Sequence, residues 1–213
     1  MVMIRIIVRG SPPGQSKESL QYLGVHMGRN LRWETHITET AKKANKTLEL
    51  LCCLMPRIRG PSECSRRLLG VTAQSRLLYG ASIWNDAMRK KNLREQYQSV
   101  QRKLAIRITG RYRTASSEAL FVLARTPPID LLVQKRSETE QGSDSSRGNI
   151  HNIMLDRWQN RWNKILIRDP RPRVNRKHGQ VSYFLMLFLT GHGSHQAYLR
   201  RFGISETDEC NWD

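Results

Sequence analysis

Apolar residues recur at steps of three and four along the chain between positions 33 and 137, and this spacing places them on one face of a helix. The first such face consists of Ile37, Ala41, Ala44, Leu48, Leu51 and Met55. Pro56 should end this helix, because proline cannot continue the backbone hydrogen bonds. A second helix is predicted to begin at Pro61–Ser62. Its predicted apolar face consists of Leu68, Leu69, Val71, Leu78, Ile83 and Trp84.

Three more helices follow with the same periodicity. One carries Leu93, Tyr97, Val100, Leu104 and Ile108. Its predicted end is Gly110, since glycine readily adopts the left-handed conformation that closes a helix. A short helix is predicted from Ser116 to Ala124, with Ser116 or Ser117 as its N-cap. Another begins at Ile129, and several amphipathic helices with short connections indicate a small bundle.

The N-terminal segment has a strand pattern. Met3–Val8 is short and rich in β-branched residues, which favours a strand, and glycines and prolines at positions 10–14 interrupt it. Leu20–Val25 is a second predicted strand, and Gly24 within it is interpreted as a bulge or a close backbone approach. Together they predict a hairpin with a long loop. Two strands alone are marginally stable in water, so this hairpin is expected to come from a larger sheet.

The C-terminal part combines a polar segment with further helices. Residues 138–149 are polar and rich in Gly and Ser, which is typical of a linker. Beyond them, apolar positions recur at helical spacing at Ile153, Met154, Trp158 and Trp162. Both tryptophans, like Trp84, are predicted to pack in the core rather than to stack on bases. No stretch approaches the roughly 20 apolar residues of a membrane span, so no membrane partner is expected.

The sequence therefore predicts a mainly α-helical protein with a short N-terminal β-hairpin. Four parts are predicted: a β-hairpin over residues 1–30, a basic helical bundle over 31–137, the polar linker over 138–149, and a smaller helical segment over 150–213. The hydrophobic fraction of 38% is low for a globular chain, so the core is expected to be modest.

Charge changes this picture, because Lys and Arg outnumber Asp and Glu by 36 to 18 and give a formal net charge of +18. The cations are spread along the predicted helices rather than collected in a tail. Positions 57–113 alone carry fourteen basic residues and three acidic ones. A folded helical surface with this excess is typical of a protein that binds a polyanion, most often nucleic acid. The alternatives are a ribosomal or histone-like composition, or a solvated cationic surface that serves solubility.

Other chemistries find little support in the residues. The sequence contains no Gly-x-Ser-x-Gly motif, no phosphate-binding glycine loop of Walker or Rossmann type and no Asp-Asp pair. Isolated aspartates such as Asp130 and Asp156 are predicted to be helix caps or solvated charges. Four cysteines without the spacing of a disulfide framework indicate a reducing, intracellular compartment. Cys52, Cys53 and Cys64 are predicted to be small core residues.

Seven short blocks occur in one order along the chain. The first runs through Tyr22–Val25, Leu31–Trp33 and His36–Ile37, and the second combines Leu77–Ala81 with Ile83–Trp84. The others are Val100–Arg102, Arg111–Thr114, Pro127–Ile129, Leu189–Gly193 and Tyr198–Gly203. In this order the blocks resemble the segments that follow the catalytic palm in non-LTR retrotransposon reverse transcriptases, most of all those of insect-type elements.

The resemblance implies a C-terminal fragment of such a polymerase, namely the end of the palm, the thumb and the post-thumb segment. Members of the family hold two metal ions on palm aspartates that include an Ala-Asp-Asp turn, and this chain has no such turn. The implied function is that of a partial RNA-directed DNA polymerase with no catalytic residue and no cofactor of its own. Mg²⁺ is expected only in the full-length polymerase, and the missing palm and fingers of the parent polyprotein are expected partners.

Within this resemblance, the implied nucleic-acid partner is an RNA or DNA template–primer. The candidate binding residues are Tyr22, Gly24, Lys90, Lys91, Arg94, Arg102, Lys103, Arg107, Arg111, Tyr112 and Arg113. The segment around Tyr22 and Gly24 is interpreted as a primer grip, and an ordinary half-buried strand is the alternative. The segment 111–113 resembles a phosphate-contacting turn with an aromatic ring for stacking, and a solvated basic loop is the alternative.

Further expectations concern zinc, location and function. Related elements carry a Cys-x-x-Cys knuckle after the Gly-His-Gly segment, but here Asp213 follows Cys210 at the second position, so no stable zinc is expected. His192 is interpreted as ordering a glycine-flanked turn, and His192 with His195 makes a weak ligand set. The expected location is nuclear or cytoplasmic. The alternative function is a host-retained or degenerate fragment that acts only as a basic nucleic-acid-binding helical module, or has no function.

Overall fold

The structure is a computed structural model that describes residues 19–28, 32–56, 60–110, 113–142, 147–165 and 203. These residues form a two-stranded hairpin and seven α-helices, so the predicted fold class is confirmed. Several predicted features lie outside the described residues. They are the strand Met3–Val8, the candidate binding residues Arg111 and Tyr112, and the C-terminal residues His192, His195 and Cys210.

The hairpin comes first in the described chain, and the helices follow it. The strands are β1 (Ser19–Tyr22) and β2 (Val25–Gly28). The helices are α1 (Glu34–Leu54), α2 (Glu63–Leu77), α3 (Ala81–Trp84), α4 (Lys91–Thr109), α5 (Ser117–Ala124), α6 (Ile129–Gln141) and α7 (Arg147–Ile165). A 3₁₀ segment, Asn85–Arg89, joins α3 to α4. Helix α4 lies at the centre, since it packs against α1, α2, α5 and α6.

The two strands pair antiparallel, with Tyr22 opposite Val25. Leu23 and Gly24 form the connection, and both have positive φ, 46° and 82°. Two-residue hairpin turns commonly need this conformation, which suits glycine and is uncommon for leucine. The prediction of one strand across residues 20–25 with a bulge at Gly24 is therefore wrong, because the chain reverses at these two residues.

Helix α2 buries a different face from the one that the sequence predicts. Its buried residues are Arg66, Gly70, Ala73 and Leu77. Leu68 and Val71 are 70% and 58% exposed, and Ile83 in α3 is 59% exposed. Gly70 faces α4, where a Cβ on this residue would lie 3.0 Å from Leu104 Cδ1. Close approach of the two helices selects the small face, so the predicted burial of the three larger residues is wrong.

The core consists of two clusters of buried residues that share α4. One cluster joins α1, α4, α5 and α7 and contains Trp158 and Trp162. The other joins α1, α3, α4 and α6 around Trp84 and Tyr97, whose rings meet edge to face with centroids 5.5 Å apart. Each of the three tryptophans is at most 2% exposed, which confirms that they are core residues.

Helices α6 and α7 extend into the polar segment that was predicted as a linker. Helix α6 ends at Gln141 and α7 begins at Arg147, so both overlap residues 138–149. Arg157 of α7 forms an ion pair with Glu138 of α6 at 2.9 Å. The first helix of the predicted C-terminal segment therefore packs directly on the predicted bundle and shares its core.

Two predictions about polar side chains need correction. Arg161 of α7 forms ion pairs with Glu118 of α5 at 2.8 Å and Asp130 of α6 at 2.9 Å. Asp130 is thus a half-buried partner of a cation rather than a solvated charge, because α7 covers it.

Cys53 and Cys64 are exposed, so the prediction of small core residues is wrong for these two cysteines.

Arg66 is a buried cation with a structural role. Its guanidinium donates hydrogen bonds to the carbonyls of Pro61 at 2.9 Å, Pro56 at 2.8 Å and Arg107 at 3.3 Å. The Pro56 carbonyl follows the end of α1 and the Arg107 carbonyl lies in the last turn of α4, where the helix dipole is negative. Arg66 therefore joins the ends of three helices instead of contributing to a basic surface.

Replacing Arg66 with methionine should destabilise the fold, because three carbonyls lose their donor. We expect the free energy of unfolding to fall by roughly 2–4 kcal/mol, measured by urea denaturation. The matched control is Arg67→Met, at the neighbouring half-buried position, which should change stability by less than about 1 kcal/mol. Equal losses in the two variants would contradict the structural role of Arg66.

Candidate nucleic-acid interface

Helix α4 carries most of the candidate cations. Lys90 is its N-cap, and the helix ends at Gly110, which has the left-handed conformation with φ 67°. Its buried face repeats at steps of three and four, which leaves the opposite face to polar and charged residues. The candidate cations on the helix itself are Lys91, Arg94, Arg102, Lys103 and Arg107.

Arg102 and Lys103 extend to opposite sides of α4. Lys103 Nζ donates a hydrogen bond to Asn45 Oδ1 of α1 at 3.1 Å. Arg102 donates to Ser117 Oγ at 2.9 Å and to the Arg113 carbonyl at 2.6 Å, both at the α5 side. Successive residues on a helix differ in direction by about 100°, so α4 presents cations along both edges of its exposed face. The basic surface is therefore broad rather than a single stripe.

The lysines at the N-terminal end of α4 form exposed ion pairs. Lys90 pairs with Glu34 at the start of α1, and Lys91 Nζ lies 3.9 Å from Glu95 Oε1. The hydrogen bond from Lys90 holds the pKa of Glu34 below its ordinary value. Exposed pairs contribute about 0–1 kcal/mol, so a phosphate can replace these carboxylates at little cost.

The remaining described candidates have fewer contacts. Arg94 and Arg107 are half-buried, and neither side chain has a hydrogen-bonding partner within the described residues. Arg113 is exposed, and its carbonyl holds the Arg102 guanidinium. Within the described part of the chain, no carboxylate pairs with these three guanidinium groups.

Helix α1 adds two lysines that were not among the predicted binding residues. Lys42 and Lys46 are exposed and lie one helical turn apart, and Lys42 lies three positions before Asn45. Lys103 bonds to Asn45, so these lysines continue the basic surface of α4 onto α1. Glu39 forms a surface ion pair with Lys42 at 2.8 Å. The sequence does indicate these two lysines, because they lie between the apolar positions of α1 and therefore on its exposed face.

Tyr22 and Gly24 lie at the tip of the hairpin, where the Tyr22 side chain is 60% exposed. Tyr79, at the corner between α2 and α3, donates a hydrogen bond from its hydroxyl to the Leu23 carbonyl at 2.8 Å. It is half-exposed and was not selected from the sequence, although it lies in one of the blocks that carry the resemblance. The tip therefore offers two exposed aromatic side chains where the sequence predicted one.

Strand β2 is anchored to the bundle by the buried His36 of α1. Its Nδ1 accepts a hydrogen bond from the backbone N–H of His26 in β2 at 3.3 Å, and its ring lies 5.8 Å from that of Trp84. Burial, followed by the nearby His26 and Lys43, lowers the pKa of His36 to about 4. Since Nδ1 acts as an acceptor, the ring is neutral at neutral pH.

The described candidate binding residues form two groups along α4, one near Lys90 and one near Arg102. Lys90 bonds to Glu34, which lies in the same helical turn as His36, so the N-terminal end of α4 lies at the hairpin end of the bundle. Arg102 follows Lys90 by twelve residues, or about 18 Å along the helix. The hairpin and Lys90 mark one end of the basic surface, and Arg102 lies towards the other.

The described residues offer charge and aromatic surface. Among them, no three His, Cys, Asp or Glu side chains gather in a group that could hold a metal ion. No helix in the described part of the chain is both long and apolar enough to cross a membrane.

The known proteins that are similar to this chain come from one class of transposable element. Over about nine-tenths of its length, the chain is similar to R1 non-LTR retrotransposon proteins of insects, several of them Pol polyproteins. This similarity confirms the resemblance that the seven sequence blocks indicate. No protein-family model and no solved structure matches the chain.

Three relatives illustrate the extent of the match. The "Putative 115 kDa protein in type-1 retrotransposable element R1DM" of Drosophila melanogaster is 26% identical over 230 residues, covering 90% of this chain and 22% of that protein. A retrovirus-related Pol polyprotein from element R1 2 of Nasonia vitripennis is 24% identical, covering 89% and 54%. A Pol polyprotein from element R1 of Bradysia coprophila is 26% identical, covering 91% and 22%. The chain thus spans between about a fifth and a half of these relatives' lengths.

The His36 anchor should make stability depend on pH. The pKa of His36 is about 4 in the fold and ordinarily 6.5, so between these values the unfolded chain binds more protons. The contribution of the neutral His36 ring to the free energy of unfolding is therefore fully present above pH 6.5 and is lost as the pH falls towards 4. We expect a loss of about 2 kcal/mol between pH 7 and pH 5, measured by urea unfolding.

Two glutamine variants test the assignment. In His36→Gln the amide oxygen can accept the His26 N–H and does not titrate, so the loss between pH 7 and pH 5 should disappear. His151→Gln changes an exposed histidine and should retain it. If the free energy of unfolding of His36→Gln falls between pH 7 and pH 5 by as much as that of the unchanged chain, the anchor does not cause the pH dependence.

Proposed function

We propose that this chain is a thumb-like part of a retrotransposon reverse transcriptase and that it grips a template–primer of RNA or DNA by its sugar–phosphate backbone. The observation that carries the proposal is the basic surface of α1 and α4, whose cations lie along both edges of α4. The names of the Nasonia and Bradysia relatives, retrovirus-related Pol polyproteins, support the same proposal.

The length of the basic surface suits a nucleic-acid backbone. Lys91 and Arg107 are sixteen residues apart, which is about 24 Å along the helix. Duplex DNA carries one charge per about 1.7 Å of its axis, so several phosphates lie within reach of α4. Lys and Arg contacts to phosphates position a duplex without reading its sequence, and a polymerase thumb must accept any sequence.

The hairpin tip adds a different kind of contact. Tyr22 presents an exposed ring, and aromatic side chains stack on bases of any sequence. Gly24 has no side chain at the tip, so a strand can approach its backbone closely. The proposed interface therefore combines phosphate contacts along α4 with stacking at the tip.

Polymerisation itself is proposed for the larger protein. A two-metal site needs clustered carboxylates, and the sequence has no Asp-Asp pair. In the proposal, the palm and fingers of the parent polyprotein supply these carboxylates and bind Mg²⁺. A nuclear or a cytoplasmic location would bring the protein to its nucleic acid.

Binding to an RNA–DNA duplex should depend steeply on salt. If about six phosphates are engaged, affinity should fall about a thousandfold between 50 and 200 mM salt. The double variant Lys103→Glu with Arg107→Glu should lower the salt slope by about two and weaken binding to all duplex sequences alike. Fluorescence anisotropy with two duplexes of unrelated sequence measures both quantities.

The control makes the same charge change on other helices. Lys135→Glu with Lys164→Glu alters α6 and α7 by the same total charge, and we expect a much smaller loss of affinity. Equal losses in the two double variants would show that net charge, rather than the α1–α4 surface, governs binding. A flat salt response of the unchanged chain would contradict backbone binding altogether.

The chain alone should not extend a primer. Mixed with template, primer, deoxynucleotides and Mg²⁺, it should give no product on a denaturing gel, because it lacks the paired carboxylates that a two-metal site requires. A complete reverse transcriptase on the same substrate provides the positive control. Robust extension by the purified chain would contradict the view that the catalytic metals bind elsewhere in the larger protein.

A further inference from the structure

Tyr79 connects the hydrophobic core to the tip of the hairpin. The fully buried Trp84 donates a hydrogen bond from its indole Nε1 to the Tyr79 carbonyl at 2.9 Å. The Tyr79 hydroxyl in turn donates to the carbonyl of Leu23, 56 residues away in sequence, at 2.8 Å. The backbone of Tyr79 is thus fixed by the core, and its side chain is fixed on the turn.

The Tyr79 ring also packs on the second residue of the turn. A Cβ placed on Gly24 would lie 3.2 Å from Tyr79 Cε1, so the ring lies against the backbone at this position. Tyr79 therefore touches both turn residues, one by a hydrogen bond and the other by packing. Below the tip, a Cβ on Gly80 would lie 3.3 Å from Val25 Cγ2, so the next residue of the corner supports the start of β2.

These contacts determine where the exposed Tyr22 stands. Residues directly opposite in an antiparallel pair share a face of the hairpin, and Tyr22 lies opposite the buried Val25. An isolated two-stranded hairpin is marginally stable in water. Within the described residues, the turn without Tyr79 would then be held by its four-residue strands and by the contacts of Val25 and His26 with the bundle.

We propose that Tyr79 is a positioning residue, which fixes the hairpin tip on the bundle so that Tyr22 and the backbone at Gly24 meet a nucleic-acid strand. This inference rests on the proposed function, since it specifies how that interface is held. The Tyr79 hydroxyl acts through the Leu23 carbonyl and not by touching the nucleic-acid strand. The expected ligand is the strand end of a template–primer, held by stacking and backbone contacts.

The test removes one hydroxyl. Tyr79→Phe keeps the ring and loses the hydrogen bond to Leu23, so affinity for an RNA–DNA duplex with a recessed 3′ end should fall about three- to tenfold. Tyr22→Ala should weaken binding as well. The loss of affinity in the double variant should be smaller than the sum of the two single losses, because both changes act through the tip. Additive losses, or an unchanged affinity of Tyr79→Phe, would overturn the proposal.

Thr139→Val is the matched control for stability. It also removes a single hydroxyl, which donates a hydrogen bond to the Lys135 carbonyl at 2.7 Å within α6. This variant should leave duplex affinity unchanged. A comparable loss of affinity would mean that binding follows overall stability, which would overturn the positioning role.

Hydrogen exchange separates this inference from the proposed function. Without nucleic acid, Tyr79→Phe should raise amide exchange in residues 22–26, and Thr139→Val should leave exchange in these residues unchanged. If the unchanged chain does not bind the duplex, the proposed function fails, and exchange still reports on the tip. Unaltered exchange at the tip of Tyr79→Phe would overturn the positioning role by itself.

Discussion

The burial of one face of α4 is the constraint on which the rest of the structure depends. This helix contributes to both core clusters and packs against four other helices. Its close approach to α2 is possible because Gly70 faces Leu104 and Ile108. Since each residue turns the helix by about 100°, this packing fixes which cations point outward. Arg102 and Lys103 lie at the surface because their neighbours Gln101 and Leu104 are buried.

The cationic side chains of the described residues lie in two kinds of environment. Arg66 binds carbonyls at helix ends, Arg136 donates to the Leu78 carbonyl at 3.0 Å, and Arg161 joins α5, α6 and α7 through carboxylates. These guanidinium groups hold the bundle together. The lysines of α1 and α4 make exposed ion pairs and hydrogen bonds that contribute little to stability, and these are the side chains that we propose for the interface. The net charge of +18 therefore overstates the charge of the proposed interface.

Periodicity predicted the helices well, because the amphipathic pattern and the end signals agree. Ser116 accepts the cap hydrogen bond as predicted, and Gly110 ends α4. The sequence failed where tertiary contacts decide. The small face of α2 is buried because α4 comes close, and the hairpin turn at Leu23–Gly24 uses a positive φ that leucine seldom adopts. The roles of Arg66 and Tyr79 also depend on distant partners, since the Arg107 and Leu23 carbonyls lie 41 and 56 residues away from them.

The central claim is that nucleic acid lies across α1, α4 and the hairpin tip. Photo-crosslinking of the chain to an RNA–DNA duplex, followed by mass spectrometry of the attached peptides, tests it most directly. The account predicts that crosslinked peptides come from α1, α4 and residues 19–28, and that they disappear at high salt. Crosslinks concentrated on α6 and α7, with the α4 peptides unmodified, would contradict it.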